Sequence, residues 1–161
     1  MNNTETAAAY DLSKLAVTGL KASDTVGVGV ILDYAGDDFI VFHGYFGLFA
    51  YNLNSEKLVM SVDLKKAIGT TVIQGSIGAA VRVSADGSVI QLYYYDNERR
   101  GDPEGVYYID TVDWSCTYGA YRNLGSYYNV EDLPTDAIQG QSSIGDLTYQ
   151  NAGQTWKLFD F

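Results

Sequence analysis

One cysteine, one histidine and two prolines are all that 161 residues hold of those three types, and each shortage closes off a kind of chemistry. Cys116 has no second cysteine to pair with, so no intramolecular disulfide staples the chain. Its expected place is in a strand, as a small apolar residue. With His43 as the sole imidazole, the Cys and His ligand set of a zinc site is absent. Basic residues are scarce as well. Ten Lys plus Arg stand against twenty Asp plus Glu, a formal charge of -10, and such a field repels phosphate backbones and anionic membrane surfaces. Nucleic acid is therefore excluded as an expected partner, and the acidity is read mainly as a device for solubility. The sequence has no apolar run of about 18 residues and no basic segment leading into an apolar one. The chain is expected to be soluble, meeting a membrane only through a removed anchor or a parent protein.

What is abundant points to strands. Hydrophobic residues make up 47% of the chain, with 14 Tyr, 6 Phe and 17 Gly, a β-leaning and globular composition. The length suits a single domain over residues 1–161, with residues 1–9 as a disordered lead-in. The densest apolar stretch, Phe39 to Leu64, reads as three strands: Phe39 to His43, Leu48 to Leu53 and Leu58 to Leu64. Gly44-Tyr45-Phe46-Gly47 and Asn54-Ser55-Glu56-Lys57 separate them as turns, which makes an antiparallel meander.

This unit recurs. Val28 to Tyr34 turns at Ala35-Gly36-Asp37-Asp38 into Phe39, as Ala80 to Ser84 turns at Ala85-Asp86-Gly87 into Ser88 to Tyr95. The aromatic-turn-apolar pattern at Tyr51 to Val59 has copies at Tyr10 to Val17 and, more weakly, at Tyr108 to Trp114. Gly36 to Gly87 spans 51 residues and Tyr51 to Tyr108 spans 57, a difference that fits an insertion in the polar loop Asp96 to Gly105. Such periods suit one four-stranded blade. A last hairpin, Gly145 to Gln150 and Gln154 to Phe161, lacks outer strands, and the N-terminal Tyr10 to Leu20 unit could supply them. The expected fold is all-β: antiparallel four-stranded blade-like repeats, propeller-like, in about three sheets closed by the N- and C-terminal strands. A β-barrel or sandwich built from the same hairpins is the alternative, because three blades are fewer than propellers normally use. Short helices are expected at Asp63 to Ile68 and near Pro134 to Ala137.

Some of these residues carry a resemblance. The run Phe39 to Phe49, the Gln74-Gly75-Ser76 turn, Val83-Ser84-Ala85-Asp86-Gly87 and the closing Thr155-Trp156-Lys157-Leu158-Phe159 together resemble a β-domain of clostridia-type Gram-positive bacteria. That domain forms the extracytoplasmic C-terminal part of proteins similar to BlaR-type sensor metallopeptidases, and occurs in stand-alone lipoproteins. The resemblance covers roughly residues 25–161 and implies a non-catalytic extracytoplasmic sensory or binding module. The enzymatic parts of that family are not carried over. A His-Glu-x-x-His zinc helix needs two histidines, and no Ser here has the Lys three residues on that β-lactam acylation requires.

Candidate sites are few. His43, in an apolar strand, is read as structural, since a triad needs partners the local sequence does not supply. The loop Asp96 to Glu104 has alternating oxygen donors, but Arg100 breaks the calcium-loop pattern and the flanks are strands. It is read as a solvated hairpin tip held by ion pairs, and Asp33, Asp37 and Asp38 as a second solvated turn. Gly27-Val28-Gly29 lacks the rest of a dinucleotide fingerprint. No metal or cofactor is expected. The strongest signal is aromatic, spread from Tyr93-Tyr94-Tyr95 through Tyr128. Adjacent strand residues point to opposite faces, so part of the tyrosine run must leave the core. Tyr94, Tyr127, Tyr128 and Trp114 are the expected contacts for an unidentified small ligand or protein partner, set against the plainer reading of cross-strand tyrosine packing. Two alternatives remain for function: an enzyme acting on cell-wall glycan through acids such as Asp96, Glu98 or Asp102, and a purely structural interaction domain.

Overall fold

The computed structural model describes residues 7–133, 137–139 and 142–161. Their strands, in chain order, are β1 (Ala7–Tyr10), β2 (Ile31–Ala35), β3 (Phe39–Gly44), β4 (Gly47–Asn52), β5 (Lys57–Val62), β6 (Ile77–Val83), β7 (Val89–Asp96), β8 (Val106–Asp110), β9 (Cys116–Gly119), β10 (Ile138–Gln139), β11 (Thr148–Asn151) and β12 (Gln154–Lys157). One short helix, α1 (Leu64–Ile68), lies where the sequence places it. The helix expected near Pro134 falls outside the described residues; just before it, Val130–Asp132 makes a single 3-10 turn capped by the Asn129 side chain.

All sheets are antiparallel and none closes on itself: β2-β3-β4-β5, β1-β9-β8-β7-β6 and β10-β11-β12. Both four-strand meanders of the repeat are present, and the hairpin insertion falls between β7 and β8 as the spacing requires. By compactness the chain, expected as one domain, divides into two units. One joins the described residues up to Leu15 with Leu64–Tyr128; the other joins Ala16–Asp63 with the described residues from Asn129 to Phe161.

Two expectations at the N-terminus are corrected. Ala7 to Ala9, assigned to a disordered lead-in, pair with Thr117 to Gly119 as an edge strand. The two ends of the chain do not meet in one sheet. β1 adds to β9 because Tyr10 packs edge-on against Tyr107, centroids 5.3 Å apart, and also meets Tyr118 at 6.4 Å. The last hairpin, β11 and β12, gains β10 as its third strand and no strand from the N-terminus. Beyond Tyr10, the polar turn carrying Ser13 and Lys14 is a 3-10 turn, Leu12–Leu15, seeded by Asp11 accepting the Ser13 N–H and hydroxyl, and the apolar stretch after it, read as a strand, forms none over Ala16 to Leu20.

In the second unit, β3 and β4 join through Tyr45-Phe46 alone, with Gly44 opposite Gly47. A Cβ on Gly44 would lie 2.5 Å from the Phe46 ring, so the turn demands glycine there. The inward face of this meander supplies Ile40, Phe42, Phe49 and Tyr51; the C-terminal segment lays Leu147, Tyr149, Leu158 and Phe159 against them. Two antiparallel sheets around one core accord with the sandwich-like alternative. Trp156 secures the hairpin, its Nε1 donating to the Leu53 carbonyl at 3.1 Å.

In the first unit, residues 120–128 cover one face of the sheet through polar staples. Gln91, wholly buried, donates from Nε2 to the Arg122 carbonyl at 2.9 Å and accepts from the Tyr127 hydroxyl at 3.3 Å. Tyr108 donates to the Ala120 carbonyl at 2.9 Å and accepts the Arg122 N–H at 2.7 Å. The Arg82 guanidinium stacks 3.9 Å over Tyr127, and that of Arg122 lies 4.3 Å over Tyr108. A buried amide satisfied at both ends costs little, whereas one satisfied at one end would be destabilising.

Candidate functional site

The inserted loop begins at Asp96, whose Oδ1 accepts the Glu98 N–H at 3.0 Å in an Asx turn. Arg99 then folds back: its Nε donates to the Asp102 carbonyl at 3.1 Å and its Nη1 sits 3.3 Å from Glu104 Oε1. This is the ion-paired hairpin tip the sequence suggests. Its partners face solvent, so the pair contributes less than about 1 kcal/mol and serves mainly to fix the guanidinium's direction.

Against this loop, the end of β7 and the covering segment form a cleft of about 250 Å³ lined by Tyr93, Tyr94, Tyr95, Asp96, Arg99 and Tyr121; Gly101, Asp102 and Pro103 complete it. Tyr93 shares its sheet face with Gln91, two residues back, and meets Tyr121 edge-on, with centroids 6.0 Å apart and planes at 81°. The two rings make a right-angled corner. Tyr94 and Tyr95 are each 37% exposed. The Tyr95 hydroxyl donates to Asn97 Oδ1 at 2.7 Å, while the Tyr93 and Tyr94 hydroxyls have no hydrogen bond among the described residues. The Tyr121 phenol is pushed up to about 12, first by its interaction with the Tyr127 hydroxyl and then by burial. It stays a neutral hydroxyl at any physiological pH.

Compared with protein-family models, curated proteins and solved structures, the chain matches none. Its function is therefore argued from side-chain placement.

Of the four aromatics singled out from the sequence, Tyr94 alone lines the cleft. The Tyr127 ring is covered by Arg82, and its hydroxyl accepts the Leu124 N–H at 3.1 Å while donating to Gln91. It ties the covering segment down. Tyr128 is half-buried and its N–H bonds the Val83 carbonyl at 2.8 Å. Trp114 occupies the β8–β9 turn at φ 61, half-buried, with its N–H on the Asp110 carbonyl. Cross-strand packing also occurs: Tyr107 and Tyr118 have centroids 4.5 Å apart, and burial first, then its tyrosine neighbours, pushes the Tyr107 phenol up to about 12.

Tyr93, Tyr95 and Tyr121 belong to the aromatic signal in the sequence but are not among the four expected contacts, and Arg99 is read there only as part of the ion-paired loop. Tyr93 and Tyr95 could have been chosen, because they flank Tyr94 and abut the loop. Nothing local singles out Tyr121; it arrives when residues 120–128 fold over the sheet.

A second cluster is buried in β2 and β3. His43 Nδ1 lies 2.7 Å from Asp33 Oδ2, and both residues are almost fully enclosed. The expectation that Asp33 sits with Asp37 and Asp38 in a solvated turn is corrected, although those two are exposed. A bulge between Leu32 and Tyr34 makes Asp33 an extra residue in β2. Burial raises the Asp33 carboxyl above its ordinary value, opposed by His43. Among the described residues no hydroxyl or thiol is hydrogen-bonded to His43.

A separate apolar hollow of about 350 Å³ lies among Val17, Leu20, Phe49, Leu58, Met60 and Phe159. Its one lining hydroxyl, Ser61, already accepts the Val17 N–H at 3.1 Å. Its lining side chains carry no charge and a single hydroxyl, so they have little to orient a ligand. The tyrosine cleft has charged groups and several hydroxyls.

Proposed function

We propose that this protein is a non-catalytic, extracytoplasmic sensory or binding module of a bacterial cell surface, and that the tyrosine cleft is where it takes a small ligand. The single observation that carries the reading is the conjunction of four tyrosines with Asp96, Arg99 and Asp102 around one open cleft. Rigid amphipathic rings give contact area at low entropy cost, and a few fixed polar groups give orientation. The extracytoplasmic setting and the tie to a membrane, through an anchor or a parent sensor, rest on the resemblance of Phe39 to Phe49 and the closing Trp156 segment to sensor-associated β-domains. A charge of -10 speaks against nucleic acid as the partner.

Asp96 and Asp102 on one cleft with tyrosines also support a second reading, a glycan-acting enzyme with a carboxylate pair. It is the weaker one, because the Asp96 carboxylate already serves the backbone of its own loop.

The test is a thermal-shift screen of the full chain against muropeptides, oligosaccharides, β-lactams and divalent cations. A ligand that binds only the folded state raises the melting point by mass action, about 2.7 kcal/mol of added stability at a hundredfold excess over Kd. At least one of these classes is expected to shift the melt. No shift with any of them at saturating concentration sinks the small-ligand reading and leaves a protein partner.

A further inference from the structure

We infer that the cleft between β7 and the Asp96 to Gly105 loop takes one ring of a neutral carbohydrate, with the Tyr93–Tyr121 corner as its stacking platform. The inference rests on the binding-module reading and narrows its ligand. Size is the first constraint. A cleft of about 250 Å³ lies below the roughly 300–1,000 Å³ of sites for drug-sized molecules, so it suits a single ring, free or as one residue of a longer chain.

Shape is the second. Two rings at 81° with centroids 6.0 Å apart meet edge to face, and both line the cleft. The faces of aromatic rings carry partial negative charge and their edges partial positive. A pyranose has faces of C–H groups, which suit a ring face, and an equatorial belt of hydroxyls, which suits polar groups at the side. The hydroxyls of Tyr93 and Tyr94, free among the described residues, can both donate and accept. Asp96 retains Oδ2, its Oδ1 being held by Glu98. Asp102 adds a further acceptor.

Charge disfavours an anion. An anionic ligand meets a protein of charge -10, and the cleft's own cation, Arg99, is already engaged by Glu104 and the Asp102 carbonyl. An organic cation over the rings is drawn by Asp96 and Asp102 but leaves the free tyrosine hydroxyls without a partner. A neutral polyol uses those hydroxyls as donors and acceptors alike, and choline is the comparator that separates the two classes.

The experiment is a titration of the ¹⁵N-labelled full chain, followed by amide chemical shifts. The probes are neutral tetrasaccharides of β-1,4-linked N-acetylglucosamine, β-1,4-linked glucose and α-1,4-linked glucose, with tetragalacturonate and choline as the charged comparators. At least one neutral tetrasaccharide is expected to move amides of residues 93–103 and 121. Tyr93→Leu and Tyr94→Ala should each weaken it about tenfold or more while the spectrum keeps its folded dispersion; Trp114→Phe should not. Binding by a neutral sugar elsewhere on the protein, or binding only by tetragalacturonate or choline, overturns the carbohydrate inference and leaves the binding-module reading standing. No change with any of the five probes at millimolar concentration also overturns the inference. If the thermal-shift screen is silent as well, the small-ligand reading falls with it and a protein partner is left.

Discussion

Phe159→Ala tests the account of the second unit's core. Phe159 is 4% exposed and meets three rings edge-on: Phe42 at 6.1 Å, Phe46 at 6.1 Å and Phe49 at 5.1 Å between centroids. Burying a phenylalanine side chain contributes about 1.5–3 kcal/mol by transfer alone. The cavity left behind brings a core Phe→Ala change to about 3–5 kcal/mol. Edge-on pairs add about 0.5–1.5 kcal/mol each beyond burial, which puts the expected loss toward the top of that range. Phe159→Leu keeps most of the volume but not the ring geometry and should lose about 1–2 kcal/mol. Each unit holds one tryptophan, Trp114 in the first and Trp156 in the second. In a Trp114→Phe background, urea unfolding followed by fluorescence therefore reports on Trp156 and its bond to Leu53. A loss below about 1 kcal/mol for Phe159→Ala would refute the claim that the C-terminal segment completes this core.

The buried pair and an exposed turn give further tests. Asp33→Ala removes the partner of a buried imidazole nitrogen and should cost about 1–3 kcal/mol at pH 7; Asp33→Asn, which keeps a hydrogen-bonding oxygen, should cost less, and equal urea midpoints for Ala and the native protein would rule out a structural role for the pair. Asp86 accepts the Ser88 hydroxyl and N–H and the Ser84 hydroxyl at 2.7, 3.0 and 2.8 Å, which holds its carboxyl down at about 2. Because the folded value lies below the ordinary 3.8, this contribution is present above pH 3.8 and is lost as pH falls through about 2. Melting points from pH 5 to pH 2 should therefore converge for the native protein and Asp86→Ala; a constant gap would contradict the linkage.

Much of the fold was legible because the physics behind it is local. Gly44-Tyr45-Phe46-Gly47 had to turn, since two glycines bracket a two-residue loop and a Cβ at Gly44 has no room. Asn151-Ala152-Gly153 had to turn as well, and Ala152 and Gly153 adopt φ 52 and 80 as a tight hairpin requires. Alternation of apolar residues then fixed which strands follow such turns. The bulge at Asp33 was not legible, because it shifts a residue between faces without a mark in composition. The N-terminal strand was misplaced because its three alanines carry no address; Tyr10 finds Tyr107 and Tyr118 only in the folded state.

The sequence by itself determined the all-β class, the meander order and the polar hairpin tip, each of which follows from neighbours a few residues apart. It also marked Tyr93 to Tyr95 as residues with more aromatic surface than one sheet face can hide. Only the tertiary structure decided that Tyr121 and Arg99 would join them, that Tyr127 would serve as a staple, and that Asp33 would be buried on His43. Apart from that of Arg99, which is local, those pairings join residues 10 to about 40 positions apart, and the free energy that selects them comes from burial and hydrogen bonding that no local stretch can register.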